Sequence, residues 1–418
     1  AKLDHPNVIK VYEYFEDANS VTQIMEPCNG GELQGRIDEV FTRRTRAHYG
    51  EDFICDVMKQ TLRALAFMHG QHYIHKDLKP QNIMLVDGES SSVKLIDFGL
   101  ATLCDQVQKK LSDSTWLGTF DYLAPEAQRG YSLMGPPSDM WSAGLVLHAL
   151  LLGCLPTEAV RAGAEKLDRG SALYAAVSET GGGLLQALLQ LEPHRRLTAA
   201  QASGHPWIRP STAASRVAPM YGTMTRFLAF HRSNLLQRAV LTALAMQMAG
   251  PQLSELREEF LRIDQDGNGR ISKEELSASL GLNTPGLATD VQTWFDSIFD
   301  AVDTDGSQEI EYTEWLAATV KEAAIRADEA MEAAFRVFDV DGSGKISQQE
   351  FGRVVKQSSG DIARFMPQFD LDGDGEVDYE EFKTMINQMP SVAPATPVSA
   401  TPASINNWWA QAKRFFGK

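Results

Sequence analysis

Four times between residues 264 and 381 the chain opens a segment with Asp-x-Asp-Gly and closes it on Glu eleven residues later, and no other feature restricts its folding as strongly. The openings are DQDG at Asp264, DTDG at Asp303, DVDG at Asp339 and DLDG at Asp370, spaced 39, 36 and 31 residues apart. Calcium prefers six to eight hard oxygens, and a 12-residue loop supplies them from positions 1, 3, 5, 7 through a backbone carbonyl, 9, and a bidentate Glu at 12. The first loop fills that plan with Asp264, Asp266, Asn268, Arg270 by its carbonyl, Ser272 and Glu275, with Gly269 at the sharp turn of position 6. The third uses Asp339, Asp341, Ser343, Lys345 and Glu350 around Gly344, and the fourth uses Asp370, Asp372, Asp374, Glu376 and Glu381 around Gly375. The second has Asp303, Asp305, Ser307, Glu309 and Glu314, but Gln308 stands at the turn, where a positive φ is disfavoured for a residue with a side chain. It is therefore predicted to be the weakest site, by about 1 kcal/mol. Position 8, which pairs two loops through a short strand, is β-branched every time: Ile271, Ile310, Ile346 and Val377. Acidic turns that bind nothing would not repeat the terminal Glu. Up to four Ca²⁺ are expected, in two pairs, either as a sensor or as a constitutive buffer.

This reading also locates the charge. The chain has 418 residues and a net charge of -16; residues 251–390 hold 18 more acidic than basic residues, so the remainder carries +2. Such a balance argues against a surface built to neutralise nucleic-acid phosphates. A hydrophobic fraction of 43% excludes a mainly disordered chain and, at this length, predicts two or three units. The sequence has no apolar run long enough to span a membrane and no signal-peptide pattern at AKLDHPNVIK. Cys28, Cys55, Cys104 and Cys154 lack metal-ligand spacing, which points to a reducing, cytoplasmic setting. The start at Ala1, directly in a patterned segment, predicts a fragment.

Residues 1–208 mix short apolar runs such as VTQIM and VKLI with a helical pattern in FICDVMKQTLRALAFMH, where Phe53, Val57, Leu62, Leu65 and Met68 share roughly one face. An α+β, mostly helical lobe is expected there. Met224 to Met248 has almost no Gly or Pro and reads as one long amphipathic helix. After Pro390 the composition turns to SVAPATPVSATPAS, a linker, followed by NNWWAQAKRFFGK.

The first lobe carries residues suited to phosphoryl transfer. His75-Lys76-Asp77-Leu78-Lys79-Pro80-Gln81-Asn82 matches the H-R-D-L-x-x-x-N catalytic loop, Asp97-Phe98-Gly99 follows, and Ala124-Pro125-Glu126 ends a plausible activation segment. The lobe resembles protein kinases, and DLKPQN with Gly118-Thr119 is similar to their serine/threonine branch. A carboxylate must receive the proton of a hydroxyl nucleophile, which the resemblance assigns to Asp77; Asp97 and Asn82 would hold Mg²⁺ on ATP. Lys79 would neutralise charge growing on the γ-phosphate, with Thr119 hydrogen-bonded near it. The resemblance further places Met25 at the gatekeeper position, the backbone of Glu26 and Cys28 at the adenine hinge, and Glu32 at the ATP ribose or a basic substrate residue. Asp139 would brace the catalytic loop and Arg196 would pair with Glu126.

Departures from the pattern qualify what the resemblance implies. It begins after the family's αC helix, so the glycine-rich loop, the phosphate-holding Lys and its Glu partner are missing, and a chain of this extent is expected to be nearly inactive. Lys76 replaces the usual Arg before the catalytic Asp, Gln81 replaces a Glu common in this branch, and Pro156 to Leu191 is about a dozen residues shorter than the family's αG region.

The order of parts resembles the calcium-dependent protein kinases of plants and protists, a kinase fused to a calmodulin-like domain of two EF-hand pairs. That implies a kinase C-lobe with a partial N-lobe over 1–208, an autoinhibitory junction helix over 209–250, an all-α calmodulin-like domain over 251–390 and a tail over 391–418. Phe227 and Val240 are thirteen residues apart, with Leu236 and Leu244 beside them, which suits insertion into an EF-hand groove, and Arg226, Arg232 and Arg238 would complement its acidity. Calcium would then lift the helix from the substrate cleft. Two rivals stand beside this reading: a non-catalytic calcium-responsive scaffold and a calcium buffer with an inert passenger. In the tail, Trp408, Trp409, Ala412, Phe415 and Phe416 share helical spacing beside Lys413, Arg414 and Lys418, which suits an anionic membrane or the EF-hand groove. Expected partners are protein substrates bearing Ser or Thr, with no nucleic acid, and the missing N-terminus is a possible lipid-anchor site.

Overall fold

The computed structural model describes residues 3–17, 20–42, 50–104, 120–130, 133–161, 167–168, 170, 172–175, 177–208, 221–233, 235–248, 253–280, 282, 289–320, 328–355 and 366–387. Gly118, Thr119 and the tail with Trp408 and Trp409 lie outside the described residues. The chain forms two compact units: residues 1–214 with 249–271, and residues 215–248 with 272–418.

The first unit is organised around two helices. Glu51–Gly70 runs twenty residues without Pro, with Glu51 and Asp52 facing the positive end of the helix dipole. Val57, Met58, Leu62, Leu65 and Met68 are fully buried, and Thr61, Arg63, Ala64 and Phe67 join them, so the helix is hidden on most sides rather than along one stripe. Pro136–Leu152 starts on two prolines, which cost nothing where the first turn has no backbone partner, and stops at Gly153, whose φ of +71° only glycine adopts readily. Its Trp141 is fully buried in the core. Against these helices lies a three-stranded antiparallel sheet in the order Gly31–Glu32, Ile83–Leu85, Val93–Leu95. A hairpin of Val11–Glu16 and Val21–Met25 leaves Tyr14, Phe15, Val21, Ile24 and Met25 exposed.

Helix Ser254–Ile263 and the Asp half of the first acidic loop belong to this unit. Gly269 backs onto His5 and Phe67 so closely that a Cβ there would lie 2.4 Å from His5 Cδ2. Arg63 Nη2 donates to the Asp264 carbonyl at 3.4 Å, and the Arg257 guanidinium donates to Ser92 Oγ.

The second unit is helical. Its helices are Tyr221–Arg232, Leu235–Gln247, Lys273–Ser279, Thr289–Val302, Tyr312–Thr319, Asp328–Phe338, Gln348–Val355 and Tyr379–Asn387. Phe227 seats edge-on against Trp315 with ring centroids 5.4 Å apart, and Phe230, Val240 and Leu244 are buried. Helix Leu235–Gln247 packs on Tyr312–Thr319 and Asp328–Phe338, while Tyr221–Arg232 packs on Thr289–Val302 and Tyr312–Thr319.

The single helix expected from Met224 to Met248 is two helices. Ser233 explains the break: its N–H donates to the Ala229 and Phe230 carbonyls, both at 3.1 Å, and its hydroxyl returns to Ala229 O at 3.0 Å, which closes the first helix locally. Arg238 then caps the open carbonyls, donating from Nε to Phe230 O and Ser233 O at 3.1 Å each and from Nη2 to His231 O. Its guanidinium lies 5.7 Å from the Phe230 ring centroid. Arg238 therefore serves the junction backbone rather than the acidic surface expected of it, and Arg226 donates to Thr223 Oγ1 at 3.1 Å. The side chain of Leu236 lies outside the described residues.

Candidate active site and cation-binding loops

Three of the residues assigned to phosphoryl transfer, Asp77, Lys79 and Asn82, meet on the segment from His75 to Asn82. Asp77 Oδ2 accepts from Lys79 Nζ at 2.7 Å and from Asn82 Nδ2 at 3.0 Å, and Asn82 Nδ2 also donates to the Asp77 carbonyl at 2.7 Å. Pro80 fixes this geometry: it begins a short 3₁₀ turn, Pro80–Asn82, that folds Asn82 back over Asp77. The segment is braced from the core by Asp139, which accepts from His75 N at 2.9 Å, Lys76 N at 2.8 Å and His69 Nε2 at 2.8 Å. Burial would raise the Asp139 carboxyl, but the His69 hydrogen bond and charge hold it below its ordinary range. His75, fully buried against the Phe98 ring, is kept neutral because burial lowers its pKa.

Lys76 has φ +70° and Asp97 has φ +60°, left-handed conformations that cost a side-chain-bearing residue about 1–2 kcal/mol. The Asp97 carboxylate is exposed, with Gly99 N donating to its Oδ1 at 3.2 Å. An exposed carboxylate and a buried amide are the hard-oxygen donor set that Mg²⁺ accepts. Met25 and Glu32 are exposed and Cys28 is half-buried, where burial pushes its thiol up to about 11. Glu26 N donates to Lys10 O at 2.9 Å, and its carboxylate takes Lys94 Nζ at 2.7 Å and Lys10 N at 2.8 Å. Arg196 and Glu126 form a bidentate pair with both contacts at 2.7 Å.

Each cation loop is shaped by its position-1 Asp. In the first unit Asp264, with no exposed surface, accepts from Gly267 N at 2.8 Å and Gly269 N at 3.1 Å; in the second, Ser272 and Glu275 form a reciprocal cap on helix Lys273–Ser279. The position-6 N–H reaches the position-1 carboxylate in the other three as well: Gln308 to Asp303 at 2.9 Å, Gly344 to Asp339 at 2.9 Å and Gly375 to Asp370 at 2.8 Å. Gln308 has φ +67° to do so, the conformation its glycine counterparts hold without strain. The position-12 glutamates bend over their loops: Glu350 accepts from Val340 N at 2.9 Å and Ser347 N at 2.9 Å, and Glu381 accepts from Leu371 N at 2.6 Å and Asp378 N at 2.9 Å. Carboxylate oxygens within 4.8 Å of one another gather from Asp303, Asp305 and Glu314, from Asp339, Asp341 and Glu350, and from Asp370, Asp372 and Asp374. Converging hard oxygens at this spacing fit Ca²⁺. Glu314 stands apart, since burial pushes its carboxyl up to about 7, so a cation there must displace a proton as well as use a strained turn. Ile346 and Val377 pair across the third and fourth loops in a two-residue antiparallel ladder.

Comparison with known proteins joins the two sets of sites. The protein kinase domain description matches residues 1–208, and the EF-hand domain pair description matches residues 253–320 and 328–387. Calcium-dependent protein kinase 33 of Arabidopsis thaliana is 31% identical over 372 residues, 86% of this chain and 68% of that protein. The chain belongs to the calcium-dependent protein kinase family. Two further members of the family are similar to it: calcium-dependent protein kinase 3 of Plasmodium berghei, 32% identical over 365 residues, and calcium-dependent protein kinase 13 of Arabidopsis thaliana, 33% identical over 365 residues. The matches cover 84% and 85% of this chain but 63% and 66% of those proteins, so the chain spans just under two thirds of their length.

Three site features were not legible beforehand. The buried Lys94–Glu26 pair ties the chain after strand Val21–Met25 to the strand before Asp97, and nothing in the run VKLI marks Lys94 as a buried partner. His69 as a third partner of Asp139 comes from a different helix and has no motif. Lys345, read only as a backbone ligand, has its ammonium on Asp374 of the next loop.

Proposed function

We propose that this chain is the greater part of a calcium-activated serine/threonine protein kinase that transfers the ATP γ-phosphoryl group to protein hydroxyls. The observation that carries the reading is Asp77 held between Lys79 and Asn82 on a loop anchored by Asp139. ATP with Mg²⁺ supplies the phosphoryl group when bound, and Asp97 and Asn82 are the residues that would hold the metal. Asp77 orients the substrate hydroxyl and takes its proton; the Lys79 ammonium, 2.7 Å from Asp77 Oδ2, neutralises negative charge that grows beside it. Glu26 and Cys28 offer hinge backbone to the adenine, and Glu32 offers a carboxylate to the ribose or a basic substrate residue. Thr119 is assigned its supporting role by sequence alone.

For regulation, we infer that the junction helices Tyr221–Arg232 and Leu235–Gln247 leave the substrate cleft when the EF-hands take them up, a reading supported by Phe227 on Trp315 and by the burial of Val240 and Leu244. For the tail we propose a docking role through Trp408, Trp409, Phe415 and Phe416, supported by their spacing and the flanking cations. Among the described residues no helix is long and apolar enough to cross a membrane. Cysteine usage supports a cytoplasmic setting.

The test is a peptide-phosphorylation assay on this chain extended upstream by a glycine-rich loop and its phosphate-binding Lys. Phosphorylation should require calcium, and Asp77→Asn should remove it by about 10³-fold or more while the fold persists. Activity that survives Asp77→Asn, or an extended chain that binds no ATP and Mg²⁺, would replace the kinase with a calcium-responsive scaffold.

A further inference from the structure

We infer that Lys345 sets the calcium affinity of the fourth loop by holding the Asp374 carboxylate until a cation displaces its ammonium. The inference rests on the reading of the four loops as calcium sites and adds a residue from outside the fourth one.

Lys345 stands at position 7 of the third loop, where the ligand is the backbone carbonyl and the side chain takes no part in the site. The ladder between the loops sets Lys345 opposite Asp378 and Ile346 opposite Val377, so this side chain leaves its own loop and enters the next. There its Nζ pairs with Asp374 Oδ2, while Asp374 Oδ1 accepts from Glu376 N at 2.9 Å. Both oxygens of the position-5 ligand are therefore engaged, one by the loop's own backbone and one by a neighbouring loop's cation. The fourth loop alone has a carboxylate at position 5; the others carry Asn268, Ser307 and Ser343. The charge density there is high, since Asp370, Asp372 and Asp374 bring oxygens within 4.8 Å of one another.

Lys345 offsets that repulsion in the calcium-free loop and opposes a divalent cation entering it. The pair is half-exposed and adds little to fold stability. Its effect falls on binding, because Ca²⁺ must take an oxygen that the ammonium holds and tolerate a like charge nearby. The pairing also joins the third and fourth loops, so that filling the fourth frees the side chain of a residue whose carbonyl serves the third. The same charge order is written in the first pair of loops, with Arg270 and Glu309 at position 7 as Lys345 and Glu376 are in the second.

The experiment is calorimetric calcium titration of the full chain carrying Glu275→Gln and Glu314→Gln, which silence the first two loops and leave the C-terminal pair to be read. Lys345→Gln should tighten binding by about three- to tenfold, the range for removing a unit charge roughly 6–8 Å from a divalent ion in water with partial salt screening. The gain should shrink as KCl rises. Lys345→Arg, which keeps the charge, should stay near the parent, and in an Asp374→Asn background Lys345→Gln should lose most of its effect. Unchanged or weaker binding on Lys345→Gln, or a gain equally large with Asn at 374, overturns the inference. A parent chain that binds no calcium at all overturns the loop assignment itself, a result distinguishable from either.

Discussion

Replacing Gln308 by Gly probes the backbone strain of a calcium loop. The Gln308 N–H reaches Asp303 at 2.9 Å, inside the 2.8–3.1 Å range of its three glycine counterparts, so the residue keeps the hydrogen bond and accepts φ +67° to do so. Left-handed backbone costs an L-residue about 1–2 kcal/mol. Glycine removes that cost but gives the unfolded chain more freedom, which takes back about 0.4–1 kcal/mol. A net gain of about 0.5–1 kcal/mol follows, worth about 1–4 °C in the melting of a unit this size. To the extent that the turn forms only as the ion binds, calcium affinity of the second loop rises by up to about fivefold. The reverse change is available in the same protein. Gly344 has φ +83° and nothing within 4 Å of where a Cβ would sit, so Gly344→Gln adds strain without a clash and should weaken the third loop by a similar factor. Gly269 is unsuited to the comparison, because there the new Cβ would strike His5. Differential scanning calorimetry and calcium titration of the two variants read both quantities. If Gln308→Gly leaves melting temperature and affinity unchanged while Gly344→Gln is also silent, positive φ is not what distinguishes the second loop, and the raised carboxyl of Glu314 must account for any weakness there.

The buried pair of Arg196 and Glu126 makes the first unit sensitive to acid: burial would raise the Glu126 carboxyl, but the hydrogen bonds and charge of Arg196 hold it below its ordinary value. Stability from the pair is present above the unfolded carboxyl's pKa and is lost as pH falls through the lowered folded one; Arg196→Met, which strands the carboxylate, should cost about 3–5 kcal/mol near neutrality by chemical denaturation and flatten that acid limb. Phe227→Ala should cost the second unit about 3–5 kcal/mol in the same assay, because the ring is fully buried against Trp315; a loss below 1 kcal/mol would mean that the junction helix is not seated there in solution.

The calcium loops were legible in the sequence because their rules are local. Twelve residues contain the position-1 Asp, the turn and the closing Glu, and the N–H groups that meet the position-1 carboxylate in the structure lie three to five residues beyond it. The loop around Asp77 reads the same way, with Lys79 and Asn82 two and five residues from it. The junction shows where such reading ends. Its composition permits one continuous helix, yet the stop at Ser233 is held by Arg238, which finds open carbonyls only after the chain has bent back on itself. The hairpin around Tyr14 and Phe15 has the apolar residues of a buried element, yet in the structure every residue of its two strands except the half-buried Tyr12 is exposed, which only the tertiary packing shows. Asp139 reaches His75 and Lys76 across 64 and 63 residues, and Lys345 reaches Asp374 across 29. Propensity and spacing act over a turn or two of chain, so they select residue types and local geometry. Which distant charge arrives beside which ligand depends on the route of the backbone, and that route is decided by burying apolar surface, a force without direction that sequence pattern alone does not resolve.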